Sequence, residues 1–100
     1  MIRGTTPTHI FTLPFDTSPI NKIRVLYSQK SNVLLTKDET ECVAESNSIK
    51  TTLTQEETFL FDAKIPVEIQ LRILTKDGNA LASVVTTVGV SRLLETEVFE

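Results

Sequence analysis

The chain has 100 residues, a net charge of −3 and a sequence pI near 5.1, the usual size for one domain built on one hydrophobic core. Hydrophobic residues make up 40% and charged residues 23%, globular proportions that argue against disorder. The ten Lys and Arg fall singly along the sequence, so no basic nucleic-acid groove is expected, and no apolar run approaches the length of a membrane span.

Cys42 is the only cysteine, which excludes an internal disulfide and fits a reducing compartment. Its neighbours Glu41 and Val43 offer no cation to lower a thiol pKa, so it reads as a small packed residue. Met1-Ile2-Arg3-Gly4 runs straight into Thr and Pro and does not read as a signal peptide. The expectation is a protein made and kept in the cytoplasm unless an assembly carries it out.

Threonine occurs fifteen times and β-branched residues are spread throughout, a strand-former's composition. In chain order, alternate positions His9, Phe11, Leu13 and Phe15 predict a half-buried first strand, ended by Pro14 and the Asp16-Thr17-Ser18-Pro19 cluster. Ile23, Val25 and Tyr27 face one way while Lys22, Arg24 and Ser28 face the other. The polar run Ser28–Asn32 turns the chain back into Val33–Lys37, so this pair reads as a hairpin. An acidic link, Asp38 to Glu41, leads to a weaker strand over Cys42–Glu45. A turn at Ser46-Asn47-Ser48 precedes a strand carrying Ile49, Thr51 and Leu53.

Thr54-Gln55-Glu56-Glu57 has the form of a capping box, Thr followed three residues later by Glu, and predicts a single helical turn. Phe59 and Phe61 are expected to drop back into the core as this turn crosses between sheets. Val67, Ile69, Leu71 and Ile73 then alternate with Glu68, Gln70 and Arg72. Lys76-Asp77-Gly78-Asn79 supplies a strong hairpin signal. A return strand is expected from Ala80 to Val90, with Ala82, Val84, Thr86, Val88 and Val90 on one face and a bulge near Gly89. Short strands at this spacing predict an all-β fold: an immunoglobulin-like two-sheet β-sandwich of about seven strands, one domain over residues 1–100, with one short helical turn near Thr54–Thr58.

Catalytic constellations are hard to assemble from these residues. The sole histidine, His9, lies on an apolar strand face and reads as structural, and adjacent Glu56 and Glu57 point in different directions. One Cys and one His cannot build a zinc site. With Gly4, Gly78 and Gly89 as the only glycines, there is no phosphate loop. Asp38, Glu39 and Glu41 lack the ligand spacing of a calcium loop and read as a solvated acidic turn. No enzyme activity and no cofactor are expected.

Several stretches carry a resemblance. Arg3-Gly4-Thr5-Thr6-Pro7-Thr8 followed by Phe11-Thr12-Leu13-Pro14-Phe15-Asp16-Thr17 resembles small prophage-encoded proteins of Gram-positive bacteria. Leu53–Thr58, Val67–Arg72 and Asp77–Ser83 extend the likeness along nearly the whole chain. The layout is similar to the N-terminal sandwich domain of phage upper-baseplate (tail) proteins, although the longer receptor-binding part such proteins carry has no counterpart here. The resemblance implies a virion or tail-associated structural or adaptor protein that works by protein–protein contact. Its partners would be phage structural proteins or copies of itself, and its location the virion, with the host cytoplasm during assembly.

The residues after Val90 add a physical reason for that expectation. Leu93, Leu94, Val98 and Phe99 are apolar and stand in a segment the sandwich does not require, which makes them candidate partner contacts. The alternative is that this segment closes the chain's own sheet as a last strand. Two other functional readings stand beside the first: a small phage inhibitor binding a host protein, and a carbohydrate-binding module, which calls for an exposed aromatic cluster.

Overall fold

A computed structural model describes residues 1–100 and shows eight strands in two antiparallel sheets. The smaller sheet orders β1 (Thr8–Thr12), β5 (Ser48–Thr52) and β4 (Cys42–Glu45). The larger orders β3 (Asn32–Asp38), β2 (Ile20–Gln29) and β6 (Val67–Thr75), with β7 (Ala80–Ala82) and β8 (Thr86–Val88) both paired to the far side of β6. The expected two-sheet sandwich is therefore the fold.

Period-two patterning explains which residues lie between the sheets. Ile23, Val25 and Tyr27 of β2 and Val67, Ile69, Leu71 and Ile73 of β6 are buried, while Lys22, Arg24, Glu68 and Arg72 between them are exposed. From the smaller sheet, Ile49 and Thr51 of β5 are buried opposite these. Phe11 of β1 sits level with Ile49 and packs against the core from its edge. Leu53, Phe61 and Val90 complete the core.

The single α-helical turn, α1 (Gln55–Thr58), forms where the capping box predicted it. Thr54 Oγ1 accepts from the Glu57 amide at 3.1 Å, and Glu57 Oε1 accepts from the Thr54 amide at 2.8 Å. The turn carries the chain from β5 in the smaller sheet to β6 in the larger. Phe61 reaches the core, whereas Phe59 stays half-buried. A second capping box, Asp38 with Glu41, closes a 3-10 turn over Glu39–Glu41. The acidic link is thus an ordered cap.

Two expectations about strand continuity are corrected by the register. The return strand is not continuous from Ala80 to Val90. It breaks at Ser83–Val85, where these three residues face only Gln70 and Leu71 of β6. This is a one-residue bulge. Ser83 makes it possible: its amide donates to Leu71 O at 2.9 Å, and its hydroxyl accepts from the Leu71 amide at 3.0 Å in place of a carbonyl. The bulge exchanges faces, so Leu81 rather than Ala82 stands opposite inward Ile73, and Val84 is 84% exposed. No strand bulge forms at Gly89, which follows the end of β8.

The second bulge lies in β3. Tyr27 faces Leu35 but Ser28 faces Val33, which leaves Leu34 as the extra residue. Beyond it Val33 turns to the outside, so Val33 and Leu34 are both exposed on an edge strand.

Candidate functional site

The C-terminal segment does not form a strand of either sheet. Ser91 makes one parallel bridge with Ile2, and the remainder runs over the chain's own surface without regular structure. Gly4 (φ +76°) is the seat for this crossing: a Cβ there would stand 2.5 Å from Leu93 Cδ2 and 2.8 Å from the Phe59 ring. The Gly4 amide donates to Thr58 Oγ1 at 2.8 Å, which locks the N-terminal segment onto α1. Farther on, the Gln55 side chain holds the Phe99 backbone with two hydrogen bonds, donating to its carbonyl at 2.9 Å and accepting from its amide at 2.6 Å.

These contacts divide the four predicted contact residues into two pairs. Leu93 and Val98 lean half-buried on their own chain. Leu94 is 89% exposed and Phe99 76%, although Phe99's backbone is pinned. Two large apolar side chains of this segment thus face water, one of them on a pinned backbone.

A cleft of about 790 Å³ opens beside this segment, between the Phe59–Lys64 stretch and Val90–Arg92, with Arg3 on its wall. Its shape is set by two polar anchors. Gln29, buried at the end of β2, donates to Asp62 O at 2.9 Å and Ile65 O at 2.8 Å and accepts from the Asp62 amide at 2.9 Å. All its amide's geometry is spent on fixing the loop that follows α1. Arg3 donates through Nη2 to Phe59 O at 3.0 Å and stacks its guanidinium over the Phe59 ring, 5.5 Å from the centroid. Arg3 Nε is buried and finds no partner within the chain. Arg3, Lys64 and Arg92, remote from one another in sequence, therefore line one cleft against the lone carboxylate of Asp62.

Cations also converge on the outer face of the larger sheet. Arg24 of β2 stands directly opposite Arg72 of β6, with Lys22 beside them, around a depression of about 210 Å³. Neither arginine has a carboxylate within salt-bridge distance; Lys37 is the only cation that forms ion pairs. Singly scattered in sequence, the cations are thus clustered in space. Like charges in direct opposition cost the sheet about 0.5 kcal/mol.

Lys37 is 4% exposed and is paired with Glu57 at 2.7 Å and Glu41 at 3.4 Å. Burial works against its charge, but the Glu57 hydrogen bond and the two carboxylate charges prevail and raise its pKa. Glu57 is held below its ordinary range, because its contacts with Lys37 and Thr54 outweigh its desolvation.

His9 lies between the sheets with Nδ1 2.8 Å from the Tyr27 hydroxyl. Desolvation lowers the His9 pKa and, on the same side of the core, raises that of the Tyr27 phenol. It is a satisfied interior pair with no nucleophile beside it. Cys42 is half-buried and its thiol pKa is raised, chiefly by burial. No group of three or more His, Cys, Asp or Glu side chains converges to hold a metal ion, and no helix is long and apolar enough to cross a membrane.

Fold and surface together define a small two-sheet β-sandwich with a pinned apolar segment beside a cationic cleft. Compared with known proteins, the chain matches no family model, no curated protein and no solved structure.

Proposed function

We propose that this chain is a structural or adaptor module that works by protein–protein contact and self-associates through its C-terminal segment. The observation that carries the reading is the exposure of Leu94 and Phe99, the latter on a backbone that Gln55 holds in place. Displaying two large apolar side chains in this way is unfavourable for a free monomer, and each is worth about 1.5–3 kcal/mol when fully covered. The sequence resemblance to phage tail and baseplate sandwich domains gives the same kind of role, with sister copies or other virion proteins as partners and the virion as the place of action.

The sugar-binding alternative draws no support from the aromatic residues. Tyr27 and Phe61 are buried, Phe11, Phe15 and Phe59 are half-buried, and Phe99 stands alone outside. A stacking platform needs several exposed rings together.

Light scattering on the full chain and on Leu94→Ser/Phe99→Ser tests the proposal. The expected outcome is a concentration-dependent mass above 11.2 kDa for the native sequence and a monomer for the double variant. Both substitutions sit at exposed positions, so folding is retained. A native chain that stays monomeric at every concentration overturns self-association and shifts the reading towards a host-directed binder.

A further inference from the structure

We infer that the cleft bounded by Arg3, Lys64 and Arg92 receives the Leu94–Phe99 segment of a second copy of the chain. This inference rests on the self-association proposed above and names the surface that completes it.

Charge is the first reason. Beyond Arg92 the segment carries Glu95, Glu97 and Glu100 and no Lys or Arg. The cleft presents three cations against Asp62. An acidic apolar segment and a cationic apolar groove are complementary in both respects, since Phe59, Leu60 and Val90 line the same cleft and Leu60 is itself exposed.

Arg3 supplies the second reason, independent of net charge. A buried N–H without an acceptor is costly to a fold, and Arg3 Nε is the only buried side-chain polar atom left in that state. A carboxylate entering the cleft offers Arg3 a charge-assisted acceptor.

Geometry decides between a chain's own segment and a neighbour's. The segment leaves the cleft rim over Gly4 and is tied at Phe99 to Gln55, which is not a cleft residue. Each copy therefore displays Leu94 and Phe99 away from its own cleft and offers that cleft to another. The cleft is open rather than enclosed, and its volume of about 790 Å³ leaves room for a few side chains laid into it from a neighbouring copy. Because segment and cleft are different surfaces, the contact is heterologous and propagates into a ring or an open row of copies.

The test uses two full-length variants with all changes at exposed positions. Leu94→Ser/Phe99→Ser disables the segment, and Lys64→Glu/Arg92→Glu disables the cleft. Unchanged thermal melting confirms that both are folded. In sedimentation velocity each variant alone is expected to be monomeric. An equimolar mixture is expected to form a 1:1 dimer and nothing larger, because one intact segment meets one intact cleft. Native self-association should also weaken roughly tenfold as NaCl rises from about 0.05 to 0.5 M, as screening shortens the Debye length.

If Lys64→Glu/Arg92→Glu associates as the native chain does, the cleft is not the receptor, while the segment's role stands. A mixture that remains monomeric overturns the pairing as well. If the segment variant associates undiminished, or the native chain is monomeric, both readings fall together.

Discussion

Glu57 is the residue on which most local structure depends. One carboxylate closes the capping box of α1 by accepting from Thr54 and also neutralises buried Lys37 of β3. Glu57→Ala removes both contacts and strands a buried ammonium with only Glu41. It should lower stability by about 3 kcal/mol, read from the urea midpoint. Lys37→Met, by contrast, keeps the cap and fills the volume, and should cost less than about 1 kcal/mol. The same residue shapes the acid limb of stability. A folded pKa below the ordinary 4.5 means that Glu57's contribution is present above pH 4.5 and is lost as pH falls through its lower folded value. His9 acts in the same direction starting from 6.5, because its neutral form is the one that fits between the sheets. Lys37 acts oppositely, its contribution intact below 10.5 and lost only above it. Thermal melting should therefore be flat only from about pH 7 to 8, decline on the acid side, and decline again above about pH 9, where the unfolded chain loses the Cys42 and then the Tyr27 proton that the fold retains. Glu57→Gln should shrink the decline below pH 4.5 without abolishing it, since Asp16, Asp38 and Asp77 also have lowered pKa values from local hydrogen bonds.

Among the elements, the β2–β3 hairpin bends through Lys30 and Ser31, with φ of +50° and +66°. Positive φ at both central residues is what a two-residue hairpin loop demands, and it favours Asn-Gly. Lys and Ser tolerate the left-handed region poorly, at roughly 1 kcal/mol each. Lys30→Asn/Ser31→Gly should accordingly raise stability by about 1 kcal/mol, seen as a higher melting temperature with an unchanged urea m-value. The Asp77-Gly78 turn has the residue type its backbone needs, Gly78 lying at φ +89°. Thr75, Asp77 and Asn79 bond to one another around it. The two bulges differ in effect from these turns: at Leu34 and at Ser83–Val85 they push apolar side chains outward on edge strands. Bulges of this kind also disturb an edge against uncontrolled strand addition.

At the scale of the whole molecule, the N-terminal residues are clasped to the start of the C-terminal segment at Ser91. Met1 O accepts from the Ser91 amide at 2.8 Å and the Arg3 amide donates to Ser91 O at 3.1 Å. Gly4 lets Leu93 pass against Phe59. Gly4→Ala adds a methyl group where there is no room and at a φ that side chains resist. It should cost about 2 kcal/mol and free the segment from Arg92 onward. Limited proteolysis should then cut after Arg92 faster than in the native chain, while the sheets stay protected. Equal cleavage rates would mean that Gly4 does not seat the segment.

Alternation and capping signals are local, and so they were legible. Period two placed Ile23, Val25 and Tyr27 and Val67 to Ile73 on inward faces, and Thr54 with Glu57 announced the helical turn. What the sequence by itself determined is a two-sheet β-sandwich and the sides its main strands bury. Register and crossing were decided by the tertiary structure alone. One extra residue at Leu34 or Ser83–Val85 reverses a face, and no composition rule marks that position. The union of Lys37 with Glu57, of Arg24 with Arg72, and of Arg3 with Lys64 and Arg92 depends on which strands and segments become neighbours. Charges dispersed along a chain can meet on one surface because packing brings together residues that sequence distance keeps apart.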